Sequence, residues 1–163
     1  MEARHEIQTP LGRMIMCGTD QVLTGLWFAD GRICQKTDFP DRMLPVFAQT
    51  VRWLELYFQG KDPGFLPEIS FETGTDFQKA VWEILRTIPY GEVRTYGEIA
   101  GLVAAERGMS RMSAQAVGQA VGRNPVSILV PCHRVIGKDG SLTGYGGGLD
   151  RKQSLLKLEG ILP

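Results

Sequence analysis

Apolar and polar positions change rhythm along the chain, from short β-like runs over the first thirty residues to helical spacing further on. His5 to Gln8, Gly12 to Gly18 and Val22 to Phe28 are the β-like runs, broken by Thr9-Pro10-Leu11-Gly12, by Thr19-Asp20 and by Asp30-Gly31. Consecutive short runs with tight turns predict an antiparallel sheet. From Leu44 to Phe58, the residues Val46, Val51, Leu54, Leu56 and Phe58 fit an amphipathic helix ending near Gly60. The segment Lys61 to Pro67, with two prolines and a glycine, reads as a linker. The expected organisation is therefore a small α/β domain over residues 1–70 and a second domain over 71–163.

The second half is more strongly patterned. Thr75 or Asp76 can cap a helix from Phe77 to Thr87, with Phe77, Val81, Ile84 and Leu85 on one face and Ile88-Pro89-Tyr90-Gly91 as its stop. Thr95 can cap a helix from Tyr96 to about Ala105, and Ser113 another from Ala114 to Val121. Two short helices joined by a turn make a helix-turn-helix candidate. In the helix from Ala114, the residues Ala114, Ala116, Gly118 and Ala120 leave the surface nearly bare, with Gln115 and Gln119 as its only long polar groups. Two readings stand side by side: small residues for tight packing in the core, or a helix shaved for close approach to a DNA groove. Val126 to Val130 is a continuous apolar run and predicts a buried strand that delivers Pro131-Cys132-His133-Arg134 at its end. A Gly-rich loop, Gly144-Tyr145-Gly146-Gly147-Gly148, precedes a last helix over Leu149 to Glu159.

Composition narrows the class without naming a function. With 163 residues, 43% hydrophobic and 22% charged, the chain is sized for one domain or two small ones. No apolar run approaches the ~18 residues needed to cross a bilayer, and the N-terminus lacks the apolar core of a secretion signal. No membrane role and a cytoplasmic location are expected. Net charge is zero, so the bulk field is weak, although residues 71–163 carry 11 Lys and Arg against 9 Asp and Glu. Any affinity for DNA then rests on a few placed contacts. Cys17, Cys34 and Cys132 are widely spaced, which suggests neither a disulfide framework nor a zinc knuckle.

Cys132 differs from the other two in its neighbours, His133 and Arg134. A thiol reacts as its thiolate, and with a free pKa of roughly 8.5 it needs activation near neutral pH. In an extended segment the side chains of Cys132 and His133 would point apart, so a bridging water is the expected route for the proton. Glu159 in the last helix is the candidate acid to orient the imidazole.

These motifs carry a resemblance. Pro131-Cys132-His133-Arg134-Val135, preceded by Asn124-Pro125 and followed by Gly144-Tyr145-Gly146-Gly147-Gly148, closely resembles the O6-alkylguanine-DNA alkyltransferases. The likeness extends through Phe77-Gln78-Lys79-Ala80-Val81-Trp82, Ile88-Pro89-Tyr90-Gly91-Glu92-Val93, Thr95-Tyr96-Gly97-Glu98-Ile99-Ala100 and Leu156-Lys157-Leu158-Glu159-Gly160. Thr9-Pro10-Leu11-Gly12 and Tyr57-Phe58-Gln59-Gly60-Lys61 resemble the family's N-terminal domain, so essentially the whole chain is covered.

The resemblance implies an α/β (α+β) fold: a ribonuclease-H-like N-terminal domain and a winged helix-turn-helix C-terminal domain. It implies DNA repair by a single, self-inactivating transfer of the alkyl group from guanine O6 to the cysteine sulfur. Cys132 is then the acceptor, His133 takes its proton through a water with Glu159 behind it, and Asn124 holds the turn. Tyr96 donates a proton or hydrogen bond to the base. Val135, Tyr145, Gly146 and Gly147 line the guanine pocket. Ala114, Ala116 and Gly118 face the minor groove, with Gln115, Thr95 and Arg123 among the DNA contacts. Where the family commonly places an arginine that fills the hole left by the flipped base, this chain has Gln115, with Arg111 as the alternative cation.

The implied partner is alkylated double-stranded DNA, met by a monomer, with cooperative binding left open. No cofactor is expected. Some relatives carry a structural zinc, but residues 1–70 offer only His5, Cys17 and Cys34 as soft ligands, so no metal site is expected. Two rival readings use the same residues: a thiol hydrolase, which would regenerate its thiol, and a plain helix-turn-helix protein in which Cys132 is core.

Overall fold

The computed structural model describes residues 1–31 and 38–163; Cys34 lies outside them. The chain divides into two units. The first comprises Met1–Glu72 together with Pro125–Ser127, and the second Thr73–Asn124 with Ile128–Pro163.

In the first unit, strands β1 (Ala3–Thr9), β2 (Gly12–Gly18) and β3 (Leu23–Phe28) form an antiparallel sheet in the order β1-β2-β3. The turn between the first two strands is held by Thr9, whose hydroxyl donates to the Gly12 carbonyl at 2.7 Å. Gly12 there adopts φ 124°, a region open to glycine at little cost. Val22, expected in the third strand, instead belongs to the preceding turn, its carbonyl accepting the Thr19 N–H.

Helix α1 (Pro45–Phe58) begins with proline at its first turn, where a missing N–H costs nothing. Its buried side is Val46, Phe47, Thr50, Trp53, Leu54 and Tyr57, so Val51, Leu56 and Phe58 of the expected face are only half-buried. The reason lies in the aromatic residues: Trp53 and Tyr57 stack at 5.1 Å and remove more apolar area from water than the aliphatic stripe beside them. Ser127 donates to the Leu26 carbonyl, and the Leu26 N–H donates to Pro125, adding a short segment from late in the chain to this unit.

The second unit opens with α2 (Asp76–Leu85), started by a capping box between Thr75 and Gln78. Strand β4 (Arg94–Thr95) leads into α3 (Tyr96–Glu106), started by a second capping box between Thr95 and Glu98. Helix α4 (Ala114–Val121) is capped by the Ser113 hydroxyl. Ile99, Val103, Val117 and Val121 bury the facing sides of α3 and α4, and the Trp82 indole donates to the Ala120 carbonyl at 2.8 Å, tying α2 to α4. Strand β5 (Val135–Ile136) runs parallel to β4, and α5 (Leu149–Leu158) closes the chain.

One expectation fails. Residues 126–130 do not form a strand: Val126 makes a single bridge to Leu26, and a turn follows in which Ile128 has φ 72°. The run is apolar because Val126, Ile128, Leu129 and Val130 are all buried, and burial alone does not distinguish a strand from a packed turn. A β-branched residue at positive φ is strained, and dense packing holds it there.

Candidate active site

Cys132 opens a single 3-10 turn, Cys132–Arg134, rather than ending a strand. The turn is pinned from both sides. The Cys132 N–H donates to Val130 at 2.8 Å, the Arg134 N–H donates to Pro131 at 3.0 Å, and the Asn124 side-chain amide donates to the Val130 carbonyl at 2.8 Å. Asn124, on the segment leaving α4, thus braces the turn, and its side chain works to lower the pKa of the thiol.

His133, Arg134 and Glu159 form one buried network. Glu159 caps the C-terminus of α5, and its Oε2 lies 2.6 Å from His133 Nε2. Arg134 Nε donates to Glu159 Oε1 at 2.9 Å, and the same oxygen accepts the Gly91 N–H at 3.0 Å. Arg134 also donates to the Ile88 carbonyl at 2.7 Å and lies over the Tyr90 ring. The stop sequence after α2 therefore supplies three of the contacts that hold this ion pair.

The electrostatics follow from the burial. Removal from water works to raise the Glu159 carboxyl, but hydrogen bonds and charge from His133 and Arg134 outweigh it and hold the group at about 2. His133 is fully buried, and desolvation lowers its pKa even against the attraction of Glu159. Burial pushes the Cys132 thiol up to about 11; the Asn124 side chain, the Lys152 charge and the backbone N–H groups of Cys132 and His133 act in the opposite direction. A thiolate here is costly unless those groups and a base act together.

The residues expected to line the guanine pocket lie in β5 and the loop that follows it. Tyr145 is buried, its ring edge-on to His133 at 6.5 Å. Val135 is buried in β5, while Gly146 and Gly147 are half-buried in the following loop. Tyr96, the first residue of α3, donates its hydroxyl to the Thr143 carbonyl at 2.8 Å. Burial raises its pKa, so the phenol keeps its proton at neutral pH.

The α4 face separates the two readings of its small residues. Val117, Ala120 and Val121 point into the core, whereas Ala114 and Gln115 are exposed and Ala116 and Gly118 half-buried. Most of the small residues thus lie on or near the outer side, although Gly118 also makes room for Tyr96, whose ring would lie 3.6 Å from a side-chain carbon added there. Thr95 is committed to capping α3, accepting the Glu98 N–H at 3.1 Å. Arg123 is exposed just past the far end of α4.

Among the described residues, one buried charged residue escaped the sequence reading. Lys152 is completely buried, with its ammonium on the carbonyls of Val135 and Thr143. Its signal was present: Lys152, Leu155, Leu156 and Glu159 stand at the spacing of one helix face, a polar residue among core positions. Among the described residues no group of His, Cys, Asp and Glu could hold a metal ion.

Comparison with known proteins agrees over the whole length. Residues 4–71 match the family model for the 6-O-methylguanine DNA methyltransferase ribonuclease-like domain, and residues 76–161 that for the DNA binding domain. A methylated-DNA–protein-cysteine methyltransferase of Mycolicibacterium paratuberculosis is 47% identical over 158 residues, covering 94% of this chain and 89% of that protein. One from Methanosarcina acetivorans is 44% identical over 156 residues, covering 94% and 95%. Among solved structures, Mycobacterium tuberculosis OGT in complex with DNA superposes with a TM-score of 0.85 at 43% identity, covering 99% of this chain and 95% of that one. The mixed α/β architecture, the buried His133-Arg134-Glu159 network next to Cys132 and these matches place the chain in the 6-O-methylguanine DNA methyltransferase family.

Proposed function

We propose that Cys132 takes the alkyl group directly from O6-alkylguanine in double-stranded DNA, in one irreversible transfer that leaves the protein spent. The protein is a methylated-DNA–protein-cysteine methyltransferase acting in DNA repair. The observation that carries the assignment to Cys132 is the buried thiol on a turn shared with His133, whose imidazole is fixed by Glu159.

The geometry gives each group a task. An ionised Glu159 can only accept, so the proton between it and His133 belongs to Nε2, and Nδ1 carries the lone pair that acts as base. Nδ1 takes the Cys132 proton through a water. The sulfur attacks the alkyl carbon, a carbon–sulfur bond forms, the bond to guanine O6 breaks, and its electron pair stays on the base. Tyr96 supplies a proton to the departing guanine, which stabilises the negative charge developing there. Its hydroxyl must then turn from the Thr143 carbonyl, which keeps Lys152 as a partner.

The base reaches this centre by leaving the stack, because in-line attack cannot be made on a nucleotide inside a duplex. The exposed Ala114 and Gln115 and the half-buried Ala116 and Gly118 form the surface that approaches the minor groove, with Gln115 entering the vacated position. Thr95 and Arg123 flank it. Val135, Tyr145, Gly146 and Gly147 wall the guanine pocket. Every group in the scheme comes from one chain, which supports action as a monomer. A reduced thiol and a DNA substrate support a cytoplasmic site of action. Among the described residues no helix is long and apolar enough to cross a membrane.

The test is stoichiometric. Duplex DNA carrying O6-methylguanine, supplied in excess, is restored to guanine up to one equivalent per protein and no further. Continued turnover would overturn the single-use reading in favour of hydrolysis.

A further inference from the structure

Every residue given a task in the transfer scheme belongs to the second unit, and the first unit is left without one. Its sheet has an unfinished side. Strand β1 stands at the edge of the order β1-β2-β3, with β2 on one side only. Along an antiparallel pair, alternate residues turn their N–H and C=O groups toward the partner strand, and those between turn them outward. Arg4 fixes which set faces out: its N–H donates to the Pro40 carbonyl at 2.9 Å, and its carbonyl accepts the Arg42 N–H at 3.0 Å. Residues 40–42 thus add a short parallel bridge at the beginning of this edge, and the chain then leaves it to enter α1. Glu6 and Gln8, two and four residues further on, face the same way, and among the described residues no backbone group meets theirs.

The open stretch runs along a cleft. A cavity of about 350 Å³ lies between the end of β1 and the C-terminal half of α1, walled by Ile7, Pro10, Val51, Leu54 and Phe58. Its volume falls within the ~300–1,000 Å³ usual for ligand clefts. Glu55 is exposed on its wall and is the only ionisable group among the described residues that line it. The Glu6 carboxylate is already matched by Arg4 and Arg13. A sheet edge ordinarily carries devices that discourage pairing, such as prolines, lysines or a covering loop. Among the described residues the cover stops at Arg4.

We propose that the edge from Glu6 to Gln8 and the adjoining cleft form a docking site for an extended peptide segment of a partner protein, apolar and carrying a lysine or arginine. The segment adds to β1 as a further strand, continuing the pairing that residues 40–42 begin. Main-chain hydrogen bonds to Glu6 and Gln8 hold it, an apolar side chain fills the cleft, and its cation meets Glu55. The same carboxylate repels a nucleic-acid backbone, so the occupant is a peptide rather than DNA.

The test pans a phage-displayed library of random dodecapeptides on the full-length protein and titrates the enriched sequences, as synthetic peptides, into isotope-labelled protein read by NMR. The expected peptides combine apolar residues with lysine or arginine, and shift the amide resonances of Glu6, Gln8 and the stretch from Val51 to Gln59. Gln8→Pro removes the outward N–H, a change that edge strands tolerate. It should weaken binding roughly fivefold or more, the worth of about one backbone hydrogen bond. Glu55→Lys should weaken it severalfold. Both variants should keep the wild-type melting temperature and single-turnover methyl transfer, since neither position serves the transfer. Failure to enrich any such peptide, or shifts confined to other residues, overturns the proposal. So does equal affinity for wild type and a folded Gln8→Pro. Should Gln8→Pro not fold, peptides N-methylated at successive residues take its place, and affinity unchanged by every methylation overturns the proposal equally. Shifts at the same amides produced by raising the protein concentration alone would overturn the partner assignment in favour of a second copy of this chain.

Discussion

In the proposed mechanism the base is oriented by one contact, the 2.6 Å approach of Glu159 to His133. Replacing Glu159 with glutamine keeps the shape but removes the charge that fixes the imidazole tautomer, and Arg134 then loses its anion. We expect Glu159→Gln to slow single-turnover methyl transfer by roughly 10²-fold, within the range seen when base catalysis is disabled, while affinity for lesion DNA is unchanged. An equal loss in binding would mean that the network is structural only. Much at this scale was legible in sequence. Cys132, His133, Glu159, Asn124 and Tyr96 were all named from motifs, and all stand in the second unit around one turn. Lys152 was not, because a lysine in an amphipathic helix ordinarily marks the solvent side, and only its register with Leu155, Leu156 and Glu159 signalled otherwise.

At the scale of elements, capping signals were the most dependable guide. Thr75, Thr95 and Ser113 each begin the helix expected of them, because a side-chain oxygen meeting a stranded N–H is a local event that needs no tertiary context. The apolar run Val126 to Val130 misled for the opposite reason: its shape is set by packing and by hydrogen bonds to Leu26, contacts remote in sequence. Helix α4 combines both lessons. Its cap and length were legible, but whether its bare surface faced inward or outward required the fold. Gln115 is exposed on the first turn of α4, so Gln115→Ala should leave stability within about 0.5 kcal/mol. The same change should lower both repair rate and affinity for lesion-bearing duplex, measured by single-turnover assay and by titration. Unchanged values for both would remove Gln115 from the base-flipping role.

For the whole molecule, a buried ion network links acid stability to the active site. Glu159 sits at about 2 against an ordinary 4.5, so the native state binds its proton less readily than the unfolded chain does. Its contribution, about 3 kcal/mol at most, is complete above pH 4.5 and is lost as pH falls toward 2. Thermal melts over this window should show a steeper loss of stability for wild type than for Glu159→Gln; parallel curves would mean that the carboxylate is not depressed. The linker composition suggests a two-part organisation but points to Lys61–Pro67, which lies inside the first unit, and nothing local in the sequence marks the return of Pro125–Ser127 to that unit. All these features converge on a single outcome at one sulfur. Mass spectrometry of the Cys132 peptide after mixing the protein with DNA containing O6-methylguanine tests it most directly. The account predicts one added methyl group on Cys132, absent in Cys132→Ala, and a Cys132 peptide of unchanged mass would contradict it.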